Sequence, residues 1–220
     1  MGAYRNFGPD ELSLLMQGVQ WTIALSLIAF AGGGLGGLII ATMRVARFKL
    51  LNWIAAAFIQ LIQGTPLLGQ LFVFFFGLSI LGYDISPWTA AALSLTCFSS
   101  AFLGEIWRGC IQAIPKSQWE ASVSLGMSPL QQYRYVVLPQ AVRIAIPATV
   151  GFLVQIIKNT SLASAIGFVE LLRAGQMVNA ATLQPFVVYI VVAALYFCLC
   201  FPLSMFSRIL ERRVDAAYSR

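Results

Sequence analysis

"KSQWEASVSLGMSPLQQYRYVVLP", Lys116–Pro139, is a polar, amphipathic stretch lying between two strongly apolar ones. It decides the fold because of what surrounds it: the chain is 59% hydrophobic and only 10% charged. Soluble domains carry about 25% charged residues, so this composition is that of a polytopic membrane protein. The insert is then a loop between spans, and it carries helix start and stop signals of its own. Ser117, with Glu120 three residues on, has the pattern of a capping box, each side chain serving the other's backbone N–H. Gly126 suits the left-handed residue that ends a helix. Ser128, followed by Pro129 and by Gln131 three residues on, starts a second helix. Pro139 disfavours helix at Leu138 and is expected to end it. The pattern predicts two short helices joined by a tight turn over Gly126, Met127 and Ser128. Such a helix–turn–helix offers only Lys116 and Arg134 to phosphates. The expected partner is a protein, not nucleic acid.

Five apolar runs flank the insert: Leu12–Thr42, Leu51–Leu81, Trp88–Trp107, Val142–Ile166 and Phe186–Ile209. Each provides the ~20 residues a helix needs to cross a bilayer core. The predicted fold is all-α with five transmembrane helices. Residues 1–11 form an outer segment, 12–210 the transmembrane domain with its loop at 116–139, and 211–220 a tail. Eleven of the fourteen basic residues fall on one side of such a chain: Arg44, Arg47, Lys49, Arg108, Lys116, Arg134, Arg143, Arg208, Arg212, Arg213 and Arg220. Arg5 and Arg173 fall on the other, beside Asp10, Glu11, Asp84 and Glu170, and Lys158 lies within a span. Positive charge marks the cytoplasmic side, which places the N-terminus outside and the insert and C-terminus in the cytoplasm. Residues Met1–Glu11 hold one Arg and two acids, and the first apolar run is longer than a signal core, so no cleavable leader is expected.

The absence of His removes the common zinc sites and His-based triads. Cys97, Cys110, Cys198 and Cys200 lack zinc or redox spacing and read as small buried hydrophobes. Gly32, Gly33, Gly36 and Gly37 repeat at four-residue spacing, which permits close helix approach in lipid, within the chain or between subunits. Trp53, Trp88 and Trp107 near span ends fit an interfacial aromatic belt.

Two places inside the spans are polar. The stretch from Phe48 to Leu81 would measure about 51 Å as one helix, so a break is expected. "QGTPLLG" provides it: Gly64 weakens the helix, Pro66 removes an N–H and Thr65 can cap the helix beyond it. Broken helices at that depth stand against protein or a water-filled cavity and attract anionic groups. Gln60, Gln63 and Gln70 lie nearby and serve either a solute or inter-helix hydrogen bonds. The second place is Lys158-Asn159-Thr160-Ser161. An ammonium there either snorkels to the outer face or stands on a wet cavity wall facing the Thr65 break. Glu105 and Arg108, three apart near the inner end of the third span, suit a gate or, more simply, an intrahelical ion pair at the interface.

The run "EASVSLG", nine residues, then "VVLP" resembles the EAA loop of permease subunits of type I binding-protein-dependent ABC importers. Glu120, Ala121, Gly126, Leu138 and Pro139 match that pattern, while Ser122 and Val136 stand where the family has Ala and Ile. "QGTPLL", "GEIWRGCIQAIPKSQWEA", "LPQAVRIAIP" and "IKNTSLASAIGFVEL" resemble its polar amino acid branch. The resemblance implies a bacterial inner-membrane permease whose loop sits in a groove of a cytoplasmic ATPase dimer. Ser117, Glu120, Ala121, Gly126, Met127, Ser128 and Pro139 would transmit the closure driven by ATP and Mg on that partner. It also implies a solute-binding protein, a second permease subunit, and no cofactor on this chain. Substrate contacts would come from Gln63, Gly64, Thr65, Pro66 and Gln70 with Lys158, Asn159 and Ser161. The family often has Arg at the Gln63 position and Asp at Asn159, and both changes bear on substrate charge. "GLGGLII" lacks the Lys of a phosphate-binding loop, so the ATPase is a separate chain. The competing reading is an autonomous secondary transporter or channel using Lys158 and Glu105, which leaves the insert unexplained. An intramembrane enzyme is disfavoured, since there is no His and no convincing Ser–Lys pair.

Overall fold

The computed structural model of the chain describes residues 6–46 and 48–218. Arg5, Arg47 and Arg220, counted in the orientation argument, lie outside these residues, as does most of the first half of the 1–11 segment. The described elements are helical: α1 (Pro9–Val45), α2 (Lys49–Gln63), α3 (Leu67–Phe72), a π turn (Val73–Gly77), α4 (Leu78–Ile80) and α5 (Pro87–Gln112). After these come α6 (Lys116–Ser124), α7 (Pro129–Gln131), a second π turn (Gln132–Val137), α8 (Leu138–Asn159), a 3-10 segment (Thr160–Ile166), α9 (Leu171–Thr182) and α10 (Pro185–Tyr218). Four stretches are long and apolar enough to cross a membrane: α1, α5, Pro129–Ile166 and Pro185–Val214. The pair α2 and α3–α4 completes a fifth, bent by 99° at the expected break.

Helix starts follow local chemistry. Pro9 stands in the first turn of α1 with Asp10 and Glu11 against the positive helix end. Ser86 begins α5 by accepting from the Thr89 N–H at 3.2 Å.

Packing between spans relies on small residues, because lipid tails provide no hydrophobic drive for helices to associate. The glycines of α1 serve a seam within the chain, against α5. A Cβ at Gly33 would stand 2.2 Å from Ser99 Cβ, and one at Gly36 would stand 2.2 Å from Ser100 Oγ. The central core joins Leu25 and Ala29 of α1, Leu67 and Leu71 of α3, Leu95 and Leu103 of α5, Phe152 and Ile156 of α8, and Ala163 and Ile166. A second core joins Leu15 and Val19 of α1 to Leu171, Ala174 and Val178 of α9 and Val188 and Val192 of α10. Polar ties cross the bundle as well. Trp107 Nε1 donates to Thr149 Oγ1 at 2.9 Å, and Ser207 Oγ donates to Pro147 O at 2.9 Å. Large apolar side chains outside the cores, including Leu27, Leu35, Ile39, Phe186, Ile190 and Phe197, are exposed, as a lipid-facing surface requires.

Several expectations are corrected. Trp88 meets Trp21 edge-on and Phe168 at a tilt against the central core, and Trp107 is tied to α8, so of the three tryptophans only Trp53 is outward enough for a belt. Cys198 is exposed on α10, unlike buried Cys110 and Cys200. The fourth span does not begin at Val142: helix runs on from the loop through Pro139. Helix α9, missed in the sequence, buries Leu171, Ala174, Gly175 and Val178. That is a regular helical stripe, too short to register as a span. Glu170 caps it, accepting from the Leu172 and Arg173 N–H groups at 2.8 Å each and from Tyr196 OH at 2.7 Å.

Candidate functional site

The Lys116–Pro139 loop is a helical hairpin held to the bundle by one face. Trp119 of α6 and Tyr133 of the second π turn meet edge-on at 5.1 Å, over a small core of Ile114, Val137 and Ala141. The turn is built as the glycine signal implied. Gly126 has φ +73, and the Gly126 and Met127 N–H groups close onto Val123 O at 2.9 Å and Ser122 O at 3.2 Å. That is the paired bonding of a Schellman motif. Ser128 forms a true capping box: its N–H donates to Gln131 Oε1 at 2.8 Å and its hydroxyl accepts from the Gln131 N–H. Gln132 Nε2 donates to Met127 O at 2.8 Å and locks the turn.

The other two signals in the loop resolve differently. Ser117 and Glu120 form no capping box. Pro115, held at φ −55 and ψ 140, is the extended residue before α6, and its carbonyl takes the Gln118 N–H at 3.0 Å. Ser117 is already second in the helix, where its hydroxyl cannot take the capping position. Pro139 does not end the second helix either. The π turn shifts the bonding, with the Leu138 N–H reaching Tyr133 O. Pro139 then lands second in α8, where a missing N–H breaks no helical bond.

Of the residues expected to transmit force, Ser117, Glu120, Ala121, Gly126, Ser128 and Pro139 are exposed and Met127 is half-buried. They therefore share a protruding element. Its tip is apolar, which the capping signals do not reveal: Val123, Leu125 and Leu130 are 61%, 74% and 77% exposed. The signal in the sequence was the presence of these three apolar residues in an otherwise polar insert.

At the break, Gln63, Gly64, Thr65 and Pro66 are exposed. Thr65 does not cap α3. Its hydroxyl turns back to Leu61 O at 2.8 Å and closes α2, leaving Pro66 as the residue before α3. Buried Gln70 clamps the bend, its Nε2 donating to Ile62 O at 2.7 Å and Thr65 Oγ1 at 3.0 Å. Its Oε1 is enclosed without a donor.

The Lys158 segment divides. Ile156 faces the central core; Lys158, two residues on and about 200° round the helix, does not. It opens on a cavity of about 380 Å³ against α10, lined by Tyr196, Cys200, Ser204 and Arg208. Lys158 thus does not face the Thr65 break as expected. The 3-10 segment does the packing there, with Ala163 and Ile166 beside Leu67 and Leu71. Asn159 Oδ1 accepts from Gln155 Nε2 at 3.2 Å, and Ser161 Oγ donates to Lys158 O at 2.7 Å. Glu105 and Arg108 form the expected intrahelical pair, Arg108 Nε donating at 2.9 Å with a second bond beside it. Arg108 also reaches Gln112.

A helical bundle with one broken span and one protruding hairpin suits the membrane subunit of a transporter. Residues 33–216 match the family described as "binding-protein-dependent transport system inner membrane component", and the chain belongs to that family. It is 36% identical over 209 residues to the probable glutamine ABC transporter permease GlnM of Bacillus subtilis, covering 95% of this chain and 97% of that one. It is 35% identical to the glutamine permease GlnP of Escherichia coli, covering 92% and 94%. Among solved structures, an amino acid ABC transporter superposes with a TM-score of 0.88 at 36% identity, over 92% of this chain and 94% of that one. The fold is therefore the transmembrane domain of an ABC importer.

Proposed function

We propose that this chain is the permease subunit of an ABC importer for a polar amino acid, with its N-terminus outside and its C-terminus and hairpin in the cytoplasm. The observation that carries this reading is the Ser122–Gln132 hairpin, rigidly closed and apolar at its tip, on a chain 36% identical to an amino acid permease. The tip seats in a groove of a separate ATPase dimer, which holds ATP and Mg. Glu120, Ala121 and the Gly126–Ser128 turn pass its closure into α8, which continues from the hairpin without interruption. A solute-binding protein delivers the amino acid from outside, and a second permease subunit completes the path. The exposed Gln63–Pro66 edge contacts the solute together with Asn159 and Ser161, and buried Gln70 holds that edge in place. Lys158 contributes its charge where a second subunit roofs the α8–α10 groove, since an ammonium facing lipid at that depth is costly.

The test is uptake in proteoliposomes. With an ATPase and binding protein present, labelled amino acid accumulates only when ATP is hydrolysed. Accumulation by this chain alone without ATP would establish the autonomous transporter instead.

A further inference from the structure

Two cavities of different character lie side by side near the hairpin. The first, about 250 Å³, is almost wholly apolar and runs between α1, α5 and α8 past Leu38, Ala41, Trp107 and Ala145. The second, about 390 Å³, is predominantly polar and lies at the bundle end beside Arg44, Asn52, Lys116 and Trp119. They share Val45, Ile111 and Tyr133 as walls, so the apolar cavity and the basic chamber adjoin and together offer a slot. Lys116 is exposed there. Arg44 is bonded to Asn52 through one terminal nitrogen, while its Nε is enclosed with no acceptor. Arg44 therefore gives the chamber wall positive charge rather than a free Nε donor; Glu105 lies within electrostatic reach of it, but among the described residues no carboxylate lines either cavity.

We propose that this slot binds one anionic glycerophospholipid, with an acyl chain in the apolar part and the phosphate between Arg44 and Lys116. The membrane surrounds the slot and provides such molecules at high local concentration. Basic chambers between spans at the bilayer edge suit phosphate headgroups, and a guanidinium is matched to phosphate oxygens. Because Trp119 and Tyr133 also fasten the hairpin to the bundle, the lipid braces the hairpin's base from behind. This inference rests on the bilayer placement alone and stands or falls separately from the proposed transport activity.

The experiment uses the full chain in nanodiscs of phosphatidylcholine with graded phosphatidylglycerol, and native mass spectrometry counts retained lipid. Wild type retains phosphatidylglycerol over phosphatidylcholine. Lys116→Ala weakens that retention about fivefold, and Ala145→Phe, which fills the apolar part, abolishes it with the melting temperature held. Arg213→Ala, in the separate cleft formed with Arg143, leaves it unchanged. Equal retention of the two lipids overturns the proposal. So does retention unaffected by both Lys116→Ala and Ala145→Phe, or full displacement by free glycerol phosphate, which would mark a site for soluble phosphate esters.

Discussion

Gly126 sits at φ +73 with nothing within 4 Å of where a Cβ would stand, so its constraint is conformational rather than spatial. A β-branched residue there costs about 1–2 kcal/mol in the left-handed region, and the cost falls on the turn linking the two hairpin helices. Gly126→Val is expected to cut amino acid uptake severely while ATP hydrolysis by the assembled complex continues. Gly126→Asn, which tolerates that φ, retains most uptake. Equal activity of the three chains in a paired uptake and phosphate-release assay would remove Gly126 from the coupling. The glycines of α1 are constrained the other way, by space. Gly33→Ala forces α1 from α5 and lowers the melting temperature in detergent by several degrees. Gly69→Ala, with open space around it, is neutral or stabilising by up to about 1 kcal/mol.

Among the elements, the hairpin distinguishes a working cap from an apparent one. Ser128→Ala loses a formed box and costs about 1 kcal/mol, read as faster amide exchange at Gln131. Ser117→Ala, at a residue without a capping bond, stays within about 0.5 kcal/mol. The two sites look alike in sequence because a capping box is a four-residue pattern, whereas the helix start is decided by the residue before it. Pro115 fixes that residue extended and starts α6 at Lys116, ahead of Ser117. Pro139 misled for a related reason: its rule is local, and a π turn upstream lets the helix pass through it. The bend at Gly64–Pro66 was legible because three residues disfavour helix there together. The clamp from Gln70 was not, since its partners are backbone carbonyls five and eight residues away. Helix α9 was hidden by its length and by Glu170, an uncommon capping residue whose role depends on Tyr196 from another span.

Across the whole molecule, the spans, the seam of small residues and the clustering of charge were readable from composition and spacing. Arg44 and Lys116 share one cavity wall and Arg143 and Arg213 another, so basic residues distant in sequence do meet at one end of the bundle. The direction of Lys158 was not readable, because a rotation of two residues on a helix depends on which neighbours claim Phe152 and Ile156. That direction has a consequence for assembly. Lys158→Met is expected to reduce uptake several-fold without lowering the melting temperature of the isolated chain, since among the described residues its exposed ammonium has no hydrogen-bond or ion-pair partner. A matching fall in both would make Lys158 structural. Coupling through the hairpin requires it to face the cytoplasm, and one labelling experiment tests that most directly. A Ser124→Cys chain, with its four native cysteines replaced by serine and uptake retained, is exposed to a membrane-impermeant maleimide in intact cells and in inverted vesicles. Labelling in the inverted vesicles alone is the predicted result; labelling of intact cells would contradict it.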